Sequence, residues 1–239
     1  MMTKIFITGS TDGLGFLTAK RLMDAGNEVV LHARNHQRAA EVKRKLPQAK
    51  NIVIGDLSSQ TAVESLANQL NDLGPFDTII HNAGVYTGNS ALTFQVNVLA
   101  PYLLTALVKR PKRLIYISSG MHYGSRLDLK DLTNLDYSGS KLQVLLLAKL
   151  LAQRWPNVTT TIVDPGWVPT KMGGAAANDD LTLGYTTQVW LATLADTSVT
   201  GTYYHHMKPA RYDARVDNQA IQNKFLIALE NATGVKLPC

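Results

Sequence analysis

The feature that most restricts this chain is an alternation. Short apolar runs of strand length are each followed by a longer stretch with helical spacing. The pattern reads as strand over Lys4–Thr8, helix over Gly13–Ala25, strand over Glu28–His32 and helix over Asn35–Leu46. It continues as Asn51–Gly55, Gln60–Leu73, Thr78–His81, Thr93–Val108, Arg113–Ser118, Asp136–Trp155, Thr159–Val163, Leu181–Leu194 and Thr202–His205, with a last helix over Asp217–Asn231. Leu14, Leu17, Leu22 and Met23 carry the helical spacing of the first helix, and Gly26 stops it. Repeated strand–helix–strand units require parallel strands joined by right-handed crossovers. The strands are continuously apolar, as they must be when helices cover both sheet faces. The expected fold class is therefore α/β, a doubly wound parallel sheet of about seven strands. With no linker, low-complexity tract or internal repeat, residues 1–239 read as one domain.

Such folds bind ligands beyond the carboxyl ends of the strands, so the residues following each strand carry the information. After the first strand comes Thr8-Gly9-Ser10-Thr11-Asp12-Gly13-Leu14-Gly15. Glycines there permit a tight turn and close approach of a pyrophosphate, and the following helix offers free N–H groups to it. After the second strand comes Ala33-Arg34-Asn35, with no carboxylate to bind ribose hydroxyls. The Arg34 fork suits a 2′-phosphate instead, which favours NADP(H), with NAD(H) as the alternative. Asp56-Leu57 follows the third strand; Asp56 can accept from an adenine amino group or cap the next turn. Asn82-Ala83-Gly84 follows the fourth, where small residues let the backbone pass close to a cofactor and Asn82 can tie strand ends together.

The fifth strand ends in Ser118-Ser119-Gly120, and Tyr137 and Lys141 stand one turn apart on the longest helix. A free tyrosine titrates near about 10 and is a poor base at neutral pH. A neighbouring ammonium favours the phenolate, so the pair suits general acid/base work on a carbonyl/alcohol couple. The sixth strand ends in Asp164-Pro165-Gly166-Trp167-Val168-Pro169-Thr170, which places a turn and the Thr170 hydroxyl at the nicotinamide end.

Taken in order, Thr-Gly-x-x-x-Gly-x-Gly at 8–15, Asp56, Asn-Ala-Gly at 82–84, Asn97, Ser119, Tyr137-x-x-x-Lys141 and Pro-Gly-x-Val-x-Thr at 165–170 resemble the short-chain dehydrogenase/reductase family. The resemblance runs from Thr3 to about Ala195 and implies a Rossmann fold. It implies a catalytic group in which Tyr137 gives or takes the proton, Lys141 holds the cofactor ribose and lowers the tyrosine pKa, Ser119 binds the substrate oxygen, and Asn97 holds a water leading from Lys141 to solvent. It implies cofactor contacts from Gly9, Thr11, Asp12, Gly13, Leu14, Gly15, Arg34, Asp56, Leu57, Asn82, Ala83, Gly84, Tyr137, Lys141, Pro165, Gly166, Val168 and Thr170, and no metal.

Three positions depart from the family pattern. His81 stands before Asn82-Ala83-Gly84, where the family often has asparagine, and reads as a strand-end packing residue, with a cofactor contact as the alternative. Asp12 stands where many NADP enzymes carry a base, and its charge opposes a 2′-phosphate. The segment between Ser119 and Tyr137 is longer than usual. That long segment, with Val199–Tyr204 and Thr233-Gly234-Val235, is similar to the retinol-dehydrogenase-like branch, which often reduces apolar carbonyls. Met121, His122, Tyr123, Trp167 and Met172 then read either as pocket residues or as simple loop anchors.

Other function classes fit less well. The net charge of +6 invites nucleic acid, but the basic residues are scattered and not interleaved with aromatics. A non-catalytic NAD(P)-binding regulator has no need of Asn97, Ser119, Tyr137 and Lys141 together. A sugar-nucleotide epimerase would show a different glycine spacing and a longer chain. The partner expected is a small carbonyl or alcohol substrate. Cys239 is the lone cysteine, so no internal disulfide forms and a reducing compartment is expected. The N-terminus shows no leader pattern, and apolar stretches such as Val144–Leu151 are too short to span a bilayer, so the expected location is cytoplasmic. The helices around 93–108 and 137–155 resemble those that pair in family homodimers and homotetramers; their outer faces read equally as core.

Overall fold

A computed structural model describes residues 2–239. Strands β1 (Lys4–Ile7), β2 (Glu28–Ala33), β3 (Asn51–Ile54), β4 (Thr78–His81), β5 (Arg113–Ile117), β6 (Thr159–Asp164) and β7 (Tyr203–His205) are parallel neighbours in one sheet. The strand order is β3-β2-β1-β4-β5-β6-β7-β8. The winding reverses between β1 and β4, which opens a crevice above their carboxyl ends. The eighth strand, β8 (Lys208–Pro209), pairs antiparallel with β7 through a turn in which His206 and Met207 both adopt positive φ. Two residues ending in proline give no periodicity to read, so the alternation counts about seven strands where the sheet has eight.

Helices α1 (Gly13–Asp24), α2 (His36–Lys45) and α7 (Leu181–Thr193) cover one sheet face. Helices α3 (Gln60–Asp72), α4 (Ser90–Phe94), α5 (Ala100–Leu107), α6 (Tyr137–Arg154) and α8 (Gln219–Thr233) lie on the other. Asn89 starts α4, its Oδ1 accepting from the Leu92 amide at 3.0 Å, so the helix begins before the predicted Thr93. A π turn over Gln95–Leu99 joins α4 to α5. Asn218 caps α8 and moves its start past the predicted Asp217, which lies in a short 3-10 turn.

A helix packed on a sheet should keep one wet stripe. Residues Ala100–Ala106 of α5 are all buried, and so is Gly139–Ala148 of α6. The cover is α8 and the tail behind it. Phe225 and Leu229 point inward with no exposure, Tyr102 Oη donates to the Val235 carbonyl at 2.7 Å, and Trp155 Nε1 donates to that of Pro238 at 3.1 Å. The segment Ser90–Leu107 is long and apolar enough to cross a membrane, longer than the Val144–Leu151 run, yet 72% of it is buried inside the fold as a core helix.

Candidate active site

The crevice is built on the glycine turn between β1 and α1. Gly9 has φ +65°, and a Cβ there would come 3.0 Å from Ala83. At Gly15 a Cβ would lie 2.4 Å from Asn82 Nδ2 and 2.5 Å from the Gly9 carbonyl, so only glycine lets α1 start this close to β4. Asn82 ties the two strand ends, its Nδ2 donating to the Thr8 carbonyl at 3.0 Å. Thr8 Oγ1 accepts from the Asn82 and Ala83 amides at 2.9 and 3.0 Å. Asp12 caps α1 through its Oδ1, which accepts from the Gly13 amide at 2.9 Å.

A residue the sequence reading passed over braces this turn. His32, buried near the end of β2, accepts the Gly9 amide at Nδ1 (3.0 Å) and reaches the Gly55 carbonyl with Nε2 (2.8 Å). The first bond makes Nδ1 an acceptor, so the ring is the neutral Nε2–H tautomer, and burial lowers its pKa. A polar residue inside an otherwise apolar strand was the available signal.

Beyond β2, Arg34 is exposed, and Arg38 lies one helical turn further on. Arg38 Nη2 lies 3.4 Å from Thr11 Oγ1 and 3.3 Å from Asp12 Oδ2. Sequence reading named Arg34 and missed Arg38, although the spacing of four was legible. Asp12 is also paired with Lys171 at 2.5 Å, and this contact holds its carboxyl below the usual range. Two cations thus offset the Asp12 charge. Asp56 Oδ1 caps its own turn through Ser58 N at 2.9 Å, and Leu57 is buried in the core.

On the far side, Lys141 is almost fully buried and its Nζ donates to the Ile117 carbonyl at 2.8 Å. A Cβ at Gly84 would stand 3.5 Å from that Nζ and 3.4 Å from Asn97 Oδ1, so Gly84, Asn97 and Lys141 meet at one point. The Asn97 side chain is committed: Oδ1 accepts from Val85 N at 2.8 Å, and Nδ2 donates to Val85 O and Ser140 Oγ. Pro101, four residues on, has no N–H to offer the Asn97 backbone carbonyl.

Tyr137 opens α6, with its ring 5.4 Å from Lys141 Nζ and edge-on to exposed Tyr86 at 4.8 Å. Burial and then the Asp164 charge push its pKa up to about 12, while the Ser119 hydroxyl pulls it down. Burial lowers Lys141 to about 8, with Asp164 acting against it. In the protein alone the phenol is thus held protonated, contrary to the lowering expected from the ammonium. Burial is the largest cause, and Lys141 is not among the groups that act on it.

The β6–α7 loop closes the crevice. Gly166 has φ +80°, Val168 is buried against Gly184, and a Cβ added at Gly13 would meet Thr170 at 3.8 Å. Pro165 is buried beneath this turn. Met121, Tyr123, Trp167 and Met172 are about half exposed on the rim. His122 is not a pocket residue. It is fully buried, its Nδ1 lies 2.6 Å from the Ser119 carbonyl, its Nε2 accepts from Asp213 N at 3.1 Å, and it stacks on Tyr123. His81 is likewise structural, stacked on Tyr116 with Nε2 3.2 Å from Thr105 Oγ1.

An open glycine turn at a helix N-terminus, two guanidiniums beyond β2 and a small-residue wall at 82–84 fit a dinucleotide, with its reactive end towards Ser119, Tyr137 and Lys141. The short chain dehydrogenase profile matches residues 3–181. Short-chain dehydrogenase chyC of Penicillium rubens is 41% identical over 258 residues, spanning 99% of this chain and 100% of that protein. Retinol dehydrogenase 14 of Mus musculus is 31% identical over 207 residues, 71% of this chain and 62% of the mouse protein. Among solved structures, a protein of Mycobacterium paratuberculosis superposes with a TM-score of 0.81 at 21% identity, over 99% of this chain and 95% of that one. A gluconate 5-dehydrogenase from Burkholderia cenocepacia in complex with NADP and tartrate gives 0.72 at 20% identity, over 85% and 92%.

Proposed function

Because this chain belongs to the short chain dehydrogenase family, we propose that it is an NADP(H)-dependent oxidoreductase interconverting a carbonyl and an alcohol, with Tyr137 as general acid/base. The observation that carries this reading is the meeting of Ser119, Tyr137 and Lys141 beside the glycine turn. The cofactor, when bound, supplies or accepts the hydride. The amides of Gly13 and Leu14 would hold its pyrophosphate. Arg34 and Arg38 would hold the 2′-phosphate, Asp12 retaining Lys171 as its partner. NADP-bound relatives of the same fold support this preference.

The Tyr137 phenol, kept protonated, donates to the oxygen of a carbonyl being reduced. The Ser119 hydroxyl orients that oxygen and offsets its developing charge. Lys141 holds the ribose and stabilises the phenolate left behind. Asn97, whose side-chain amide is committed to Val85 and Ser140, would hold the water that links Lys141 to solvent and returns the proton. Retinol dehydrogenase 14 and the exposed rim of Tyr86, Met121, Tyr123, Trp167 and Met172 support an apolar carbonyl substrate. A homodimer or homotetramer is part of the proposal, checked by the mass in solution; α8 packs on α6 within one chain. The cytoplasmic location is part of the proposal and is checked by cell fractionation.

The test is NADPH oxidation against a panel of aldehydes and ketones. Turnover is expected in the wild type and at least about 10²-fold less in Tyr137→Phe, with NADPH affinity nearly kept. Retained turnover in the variant removes the acid; cofactor binding without turnover on any substrate favours the regulator.

A further inference from the structure

This inference rests on the oxidoreductase reading and concerns how its serine is held. His122 has no exposure and ends the short 3-10 turn Gly120–His122 that follows Ser119. Its Nε2 stands 3.1 Å from the Asp213 amide; an amide only donates, so Nε2 accepts. The ring hydrogen therefore sits on Nδ1, which donates to the Ser119 carbonyl at 2.6 Å. The His122 amide donates to the same carbonyl at 3.1 Å, so one residue grips the Ser119 peptide twice.

The ring is itself held on several sides. Tyr123 stacks on it at 4.4 Å between centroids, and Tyr203 meets it edge-on at 5.2 Å. Ser125 Oγ donates to the His122 carbonyl at 2.8 Å, and the Ser125 carbonyl accepts from Arg215 Nη2, also at 2.8 Å. Arg215 in turn pairs with the Asp213 carboxylate at 2.6 Å. His122, Ser125, Arg215 and Asp213 thus close a circuit that joins the loop after β5 to the segment after β8. An apolar ring would fill the same space but leave the Asp213 amide without its acceptor. The Ser119 hydroxyl accepts from the Met121 amide at 3.2 Å, which leaves its one hydrogen to donate. Where that hydrogen points depends on how the Ser119 peptide is set.

We propose that His122 is a positioning residue: through the Ser119 carbonyl it keeps the serine hydroxyl aligned on the substrate oxygen, and through Asp213 it ties that alignment to the segment following β8.

The experiment compares His122→Asn, His122→Gln and His122→Phe with the wild type, on a carbonyl that the wild type reduces with NADPH. His122→Asn puts an N–H where Nδ1 stands and keeps the grip on Ser119. His122→Gln puts a carbonyl oxygen where Nε2 stands and keeps only the tie to Asp213. The expected kcat is at least about tenfold lower in His122→Gln and His122→Phe, and within about threefold of the wild type in His122→Asn. The KM for NADPH should hold in all three. In a Ser119→Ala background the same substitutions should add nothing to the residual rate, because the group they misplace is gone. Nitrogen NMR of the imidazole, assigned by the signals lost in His122→Asn, should show Nδ1 protonated and Nε2 bare. A kcat that follows melting temperature across the variants, effects that multiply with that of Ser119→Ala, or the opposite tautomer overturns the role. His122→Asn and His122→Gln decide it should His122→Phe not fold. Absence of turnover by the wild type on every carbonyl overturns the oxidoreductase reading and this role with it; turnover together with any of the three results above overturns the role alone.

Discussion

His81 sits where the family often has asparagine, and its burial against Tyr116 pushes its pKa from 6.5 down to about 3. The folded state therefore refuses a proton that the unfolded chain accepts below pH 6.5. Its neutral form is fully tolerated above that pH, and stability is lost as pH falls from 6.5 towards 3, by up to about 1.4 kcal/mol per pH unit. His81→Asn should flatten this acid limb, read from urea midpoints between pH 7 and 4; an unchanged slope would show that another group takes up the proton. The two arginines beyond β2 invite a second test. Arg34→Ala with Arg38→Ala should raise the KM for NADPH about 10- to 100-fold and leave that for NADH nearly unchanged. An equal loss for both cofactors would place these side chains away from the 2′-phosphate.

At the scale of elements, α8 decides the surroundings of α5 and α6. Phe225 has no exposure, so Phe225→Ala should cost about 3–5 kcal/mol, seen as a lowered melting temperature. Ending the chain after Asn218 should uncover the apolar faces of α5 and α6 and drive self-association, which light scattering would report. A truncated chain of unchanged mass and melting temperature would show that α8 is dispensable cover. These helices also mark where sequence reading stops. Periodicity located them, because core-facing leucines recur at helical spacing. It could not say what lay outside α6, whose apolar residues surround the whole helix rather than one stripe. The π turn escaped for a related reason: Gln95–Leu99 has ordinary helical spacing, and the ties of Asn97 to Val85 join residues twelve apart.

Across the whole molecule, the sheet was legible because each buried strand is a continuous apolar run between turn residues. The glycine turn was legible because a tight backbone approach admits few residue types, whereas the Tyr137–Lys141 pair was singled out only through the family resemblance. Arg38 and His32 were not, since their contacts arise from neighbours distant in sequence: Thr11 and Asp12, and Gly9 and Gly55. His32 shows what such a long-range tie entails. One imidazole reads an amide of the loop after β1 with one nitrogen and a carbonyl of the loop after β3 with the other. The loops proposed to hold the phosphate end and the adenine end of the dinucleotide are therefore yoked. A change that shifts Gly55 will be felt at Gly9, and neither loop can drift to suit a new cofactor without taking the other with it.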